Sequence, residues 1–201
     1  MAQTKIIPSY PALMIEDDKK SLVITDLHLG FESNLSLNNV FLGKNKTVAE
    51  ITKEIEQIIN KTNPDSLILL GDIKSGIRSI SKIEWETVPV FFETITKLID
   101  TILIPGNHDA NIEKLIPNGI TLASSKGIII DNILLTHGHT MPTENFSHVN
   151  TIVMGHVHPV FFQEESLING ERVWVSIKCK KQKIFHSKSG ELEVIILPSF
   201  N

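Results

Sequence analysis

Apolar residues fall along the chain in short blocks whose spacing changes from one block to the next. In ALMIEDDKKSLVIT (12–25) two apolar runs flank the polar turn Asp17–Lys20, which predicts two strands. Residues 31–46 have no clear period and read as a loop. In TVAEITKEIEQIINKT (47–62), Val48, Ile51, Ile55, Ile58 and Ile59 recur at helical spacing, and Asn63-Pro64 ends the helix. SLILL (66–70) is wholly apolar, as in a strand buried on both faces. A second helical pattern covers Ile83 to Leu98, with Pro89 expected to interrupt or kink it. TILI (101–104) is the next buried strand.

Strand, helix, strand, helix, strand predicts an α/β core with parallel pairing. The second half changes character. GIIID, NILLTHGH, TIVMGHVH, RVWVSIKCK, KIFHS and LEVIILP are strand-like, with hairpin turns expected at 131–132 and 188–190. Within RVWVSIKCK, Lys178, Lys180 and Trp174 share one face while Val175, Ile177 and Cys179 point inward. A largely β second half therefore packs against the α/β half, in one domain spanning residues 1–201.

Composition narrows the class. The 201 residues carry a formal net charge of −4, so no global basic field draws the chain to nucleic acid or membrane. Cys179 is the only cysteine, which excludes an internal disulfide and reads as a small core residue. The N-terminus lacks the apolar core of a signal peptide, and no apolar run is long enough to span a bilayer. The expectation is a cytoplasmic protein with no membrane partner.

Polar residues gather where apolar runs stop: Asp26-Leu-His28, Gly71-Asp72, Gly106-Asn107-His108-Asp109, His137-Gly-His139 and Gly155-His156-Val-His158. Six of the eight histidines lie in these clusters, a concentration that scatter would not produce. Carboxyl ends of parallel strands converge on one crevice, which would unite residues distant in sequence. In Asp26-X-His28 and His156-X-His158 an extended backbone would aim both side chains the same way. Imidazole, carboxylate and amide oxygen without thiolate suit manganese, iron, cobalt, nickel or zinc more than magnesium or calcium. The ligands are too many for one ion.

DLHLG, GD, GNHD, HGH and GHVH, in that order from Asp26 to His158, resemble the calcineurin-like metallophosphoesterases. DLHLGFE, LLGDIK, GHVHP and the closing LPSFN resemble the small prokaryotic branch that includes DNA-ligase-associated phosphoesterases, although Ser75 stands where that branch often has histidine. The resemblance implies a four-layer αββα sandwich with mixed sheets, an α/β fold with an α+β-like second half. It implies two divalent metal ions, manganese first. Asp26, His28 and His158 would hold one, Asn107, His137 and His156 the other, and Asp72 would bridge them. His108 would face the substrate without binding metal, supported by Asp109. The implied activity is hydrolysis of a nucleic-acid or nucleotide phosphodiester through a metal-bridging hydroxide, with DNA-repair partners. Two ions about 3.5–4 Å apart can share a water, lower its pKa and clamp phosphate oxygens.

Each motif alone has a bland reading. GD is common turn material and DLHLG could be a capped strand end. His139 is expected to face substrate or support a ligand, and His148 and His186 to be ordinary histidines. Lys74 and Arg78 could clamp a phosphate or lie on a solvated loop. KCKKQK (178–183) could touch nucleic acid, but the negative overall charge favours a solvated strand face. A phosphomonoesterase and a non-catalytic binding scaffold of the same fold are the alternatives.

Overall fold

The computed structural model describes residues 1–31, 47–164 and 166–201. The expected loop beyond Phe31, residues 32–46, lies outside them. Helix α1 (Val48–Thr62) forms where the isoleucines repeat, and Ile51, Ile55 and Ile58 are buried. Thr47 and Glu50 make a reciprocal capping box, and Asn63 ends the helix in the left-handed region. Helix α2 (Lys82–Ile95) starts with the same device from Ser81 and Glu84. It runs through Pro89 without interruption, three residues short of the Leu98 the pattern suggests. Proline removes one helical hydrogen bond, but Val88, Phe91, Phe92 and Ile95 are buried around it and hold the helix to the sheet.

Six strands form the first sheet in the order β1 (Gln3–Ile6), β2 (Leu13–Glu16), β3 (Lys20–Ile24), β4 (Ser66–Leu69), β5 (Asp100–Leu103) and β6 (Ile120–Leu122). β3 through β6 are parallel, as the alternation of strands and helices requires, while β1 and β2 add antiparallel neighbours. Strands β1 and β6 escape the hydrophobic pattern because both are short and mostly exposed. The second sheet pairs β7 (Ile128–Ile130), β8 (Ile133–Thr136), β9 (Thr151–Met154), β10 (Val175–Lys180) and β11 (Glu191–Ile196) in the order β10-β11-β9-β8-β7. Here β8, β9 and β11 are parallel.

The two described α-helices cover the outer face of the first sheet, in a core that joins Ile51, Ile55, Val88 and Phe92 to Leu22, Ile24 and Leu67. Leu13, Ile15, Val23, Ile68 and Ile104 meet Ile133, Leu135, Val153 and Leu197 between the sheets. The two halves of the chain thus share a core, and the mixed α/β class with two mixed sheets is as expected. On the outer face of the second sheet the described residues show short 3-10 turns, Glu144–Phe146 and Lys181–Lys183, packed with Phe146, Ile184 and Phe185.

Three local expectations change. Asp131 and Asn132 do make a tight turn between β7 and β8. The β10–β11 connection is instead a ten-residue excursion: KIFHS is no strand, because Phe185 turns down to fill the outer core. Ile177 does not point into a core; it is 47% exposed because β10 is an edge strand with little covering it. Lys181 is buried, so the KCKKQK lysines do not form one basic face.

Candidate metal centre

Strands β3, β4 and β5 in one sheet and β8 and β9 in the other end at the same edge of the sandwich. The loops that follow carry all five polar clusters. Backbone hydrogen bonds stitch these loops together: Asp26 N–H donates to Gly71 O (3.1 Å), His28 N–H to Asp72 O (3.0 Å) and Gly155 N–H to His137 O (3.1 Å). The closing segment joins them, with Phe200 N–H on Thr25 O at 3.0 Å.

The residue pairs at 26/28 and 156/158 are not presented by an extended strand. Asp26, His28, Asp72, His156 and His158 have φ of +57°, +43°, +53°, +69° and +48°. Left-handed backbone at non-glycine residues is disfavoured and persists where surrounding structure enforces it. Each strand ends before its cluster, and the left-handed turns there bring alternate side chains into one crevice while Leu27 packs in the core. Packing also dictates glycine nearby. A Cβ on Gly155 would overlap the Thr25 hydroxyl and stand 2.6 Å from Asp26 Oδ2, and one on Gly106 would overlap the Asp72 carboxylate.

Asp26, His28 and His158 bring ligand atoms within 4.8 Å of one another. So do Asp72, His137 and His156, and so do Asp72, His28 and His108. Asp72 belongs to two of these groups. Asn107 Oδ1 lies 3.2 Å from His137 Nε2, which places it beside the second group. Asp26 Oδ2 accepts from the Thr25 hydroxyl (2.9 Å) and His156 N–H (3.0 Å), while buried Asp26 Oδ1 has no hydrogen-bond partner and faces His158 Nε2 at 3.1 Å. His137 Nδ1 meets Leu70 O at 2.6 Å, which leaves Nε2 for the crevice, 3.2 Å from Asp72 Oδ2. A carboxylate oxygen left open and an imidazole oriented by a carbonyl fit a divalent cation.

Electrostatics follow from the crowding. Burial pushes the Asp72 carboxyl up, but His137, through hydrogen bond and charge, and His108 hold it at about 2. Burial lowers His137, yet the Asp72 carboxylate raises it overall; the Asp26 carboxylate 3.1 Å away raises His158. Burial lowers His28, His139 and His156. Burial also raises Asp109, against three backbone N–H donors.

The other expected site residues divide. His108 joins the crevice, with its ring 5.0 Å from His28 and Nδ1 2.6 Å from Ser75 O. His139 stands 5.4 Å from His137, ring to ring, and its buried Nδ1 has no hydrogen-bond partner. Asp109 is buried and faces away from the opening. Its carboxylate accepts from Ile73 N–H (2.8 Å), Lys74 N–H (3.3 Å) and Gly106 N–H (2.9 Å), bracing the β4 loop against the β5 loop. Lys74 is not brought to the crevice. It is fully buried and its ammonium donates to the Gly76 and Ser79 carbonyls beside Glu84, so this ammonium is not free for a phosphate. Arg78 is exposed on the same loop. Sequence reasoning missed Thr25, Ser75 and Glu84; the one available signal was Ser81-X-X-Glu84, which marks a helix start and not a site.

The profile of the calcineurin-like phosphoesterases matches residues 19–184. No curated protein matches the chain. Among solved structures, a nuclease MPE from Pseudomonas putida superposes with a TM-score of 0.57 at 17% identity, covering 100% of this chain and 88% of that one. The YfcE phosphoesterase from E. coli (TM-score 0.41, 16% identity, 76% of this chain and 75% of that one) and an archaeal phosphodiesterase (0.41, 16%, 86% and 97%) are more distant. A profile match across most of the chain, on a sandwich whose histidine and aspartate loops all meet at one edge, places this protein in the calcineurin-like phosphoesterase family, hydrolases that act on phosphoester bonds.

Proposed function

We propose that the chain is a dinuclear phosphodiesterase acting on a nucleotide or nucleic-acid diester. The observation that carries this reading is that Asp72 groups with His28 and His108 on one side and with His137 and His156 on the other. Asp26, His28 and His158 would hold one divalent cation; Asn107, His137 and His156 would hold the other; Asp72 would serve both. Manganese is the first candidate, since imidazoles, carboxylates and an amide suit borderline ions. Such a pair would act as Lewis acids on the phosphate and lower the pKa of water. The site draws on both halves of the chain, which is the reason to treat residues 1–201 as one domain.

The chain's own groups do the rest. His108 keeps Nδ1 on the Ser75 carbonyl, so that Nε2 faces the crevice and donates a proton to the departing oxygen. Beside it opens a cavity of about 330 Å³ lined by His28, Phe31, Ser75, His108, His158 and Asn201. A phosphoryl group fills only part of that space. The remainder, with the Phe31 ring at its edge, suits a second organic group, and this favours a diester over a monoester. The fold neighbour that is a nuclease is in keeping with that choice.

The test is hydrolysis after chelation and re-addition of manganese, iron, cobalt, nickel, zinc or magnesium. Matched p-nitrophenyl diester and monoester are compared first, then dinucleotides, RNA and single- and double-stranded DNA. The proposal expects metal-dependent turnover, faster on the diester. A monoester preference of about tenfold or more, equivalent to about 1.4 kcal/mol, would replace it with the phosphomonoesterase reading. Turnover that survives chelation would end the metal reading.

A further inference from the structure

The loop between Asp72 and α2 encloses two oppositely charged side chains. Lys74 and Glu84 are both fully buried. Glu84 accepts from Ser81 N–H and Gly76 N–H at 2.7 Å each and from the Ser75 hydroxyl at 3.3 Å. Helix capping explains the bond to Ser81. It does not explain the bonds to Gly76 and Ser75, which reach eight and nine residues back. Lys74 donates to the carbonyls of Gly76 and Ser79, so both ends of the charge pair grip the same short backbone. Burying two charges is expensive unless their geometry is well satisfied, and here that geometry fixes one peptide segment. Its outer side bears on the crevice, where Ser75 O meets His108 Nδ1 at 2.6 Å. The fit is tight: a Cβ on Gly76 would stand 2.9 Å from Ser79 O and 3.3 Å from both Glu84 carboxylate oxygens.

We propose that Glu84 is a positioning residue for His108. By holding Ser75 and Gly76 it keeps the Ser75 carbonyl against Nδ1 and so aims Nε2 at the leaving oxygen. This rests on the reading of His108 as proton donor. In that step water adds to phosphorus, and the bond from phosphorus to the leaving oxygen breaks. The electron pair stays on that oxygen and takes the Nε2 proton, and the proton of the attacking water passes to solvent. A misaimed ring slows esters whose leaving oxygen is basic. It spares those whose leaving group is stable as an anion.

The experiment uses the full chain loaded with manganese and a series of aryl phosphodiesters whose phenols span a wide range of pKa. Glu84→Gln is expected to lower kcat about tenfold on the poorest leaving group and less than about twofold on the best, with KM within about twofold throughout. Bound manganese, measured by mass spectrometry, stays at the wild-type level. In a His108→Ala background the same substitution adds no further loss. Gly76→Ala displaces the same carbonyl without removing a charge, and it reproduces the steeper leaving-group dependence even if Glu84→Gln folds poorly. Uniform loss across the series in both variants, or full additivity with His108→Ala, overturns the role of Glu84. If His108→Ala does not steepen the leaving-group dependence beyond that of the wild type, the assignment of His108 falls and this inference with it.

Discussion

The two ends of the sandwich are built from the same strands and differ in chemistry. At the amino-terminal ends of β3, β4 and β5 lies a cavity of about 720 Å³ lined in part by Asp17, Asp18, Lys19, Asp65 and Asp100. It is about twice the volume of the one beside His108. Yet several of its polar groups pair with near neighbours in the fold: Asp65 accepts from Lys20 N–H (2.7 Å), the Ser21 and Ser66 hydroxyls meet at 3.0 Å, and Thr101 donates to Ile99 O. At the opposite end, side chains from loops more than 100 residues apart face one another, and a buried carboxylate oxygen is left open. Every group of ligand atoms able to hold a cation among the described residues lies there. Volume does not separate the two ends. Convergence of unlike polar heads on strained backbone does.

The sharpest way to break this comparison is one carboxylate at each end. Asp72→Asn is expected to weaken both cations together and reduce turnover by a factor on the order of a thousand or more. Asp100→Asn, at the larger cavity, is expected to leave turnover within about twofold, as exposed substitutions away from special features do. Metal content and kcat/KM on the same preparations decide. If one cation remained bound at wild-type affinity in Asp72→Asn, the bridging role would be wrong. Next in size is His108→Ala, expected to keep both cations and lose about a hundredfold or more in kcat. Equal loss of metal would return His108 to the ligand set and remove the distinction between holding and reacting.

The convergence was legible because a polar cluster at the end of each apolar run is a linear signal. Parallel pairing then places those ends along one edge. The backbone at the clusters was not legible. Extended alternation explains Asp26-X-His28 as well as the left-handed geometry does, because spacing alone cannot separate two ways of aiming two side chains. Lys74 was misread for a related reason. Its neighbour Asp72 faces the crevice, but two residues on the chain has turned inward, and only Glu84, supplied by α2 after a loop, shows where the ammonium goes. The excursion at 181–190 was hidden because KIFHS has the apolar content of a strand, while Phe185 and Ile184 leave the sheet to pack into the outer core. Long-range partners decide such cases, and a local pattern does not contain them.

Glu84 offers a smaller test, in stability. Burial pushes its carboxyl up, but the bonds from Ser81 and Gly76 and the Lys74 charge hold it below its usual value. A carboxyl lowered in the folded state stabilises the fold above its unfolded pKa, and that contribution fades as pH falls through the folded value. Glu84→Gln is therefore expected to be destabilised at pH 7 by about 1–3 kcal/mol, with the deficit shrinking below about pH 4.5. Urea unfolding across that range measures it. A deficit constant with pH would mean that Glu84 acts through shape and not through charge.

The smallest effect concerns a residue that lies at the working end by topology and takes no part in the convergence. Since β3 and β4 are parallel neighbours, α1 between them runs back, and it starts on the side where the strands' carboxyl ends lie. Thr47 there accepts from Glu50 N–H at 3.3 Å, and Glu50 accepts from Thr47 N–H at 2.8 Å. Thr47→Ala removes half of this box and is expected to cost about 1 kcal/mol in urea unfolding. Turnover should stay within about twofold, because Thr47 holds the start of a helix whose buried face packs on the sheet, not on the metal loops. A large loss of kcat with only this small loss of stability would show that location at the edge, and not convergence of ligands, sets what matters there.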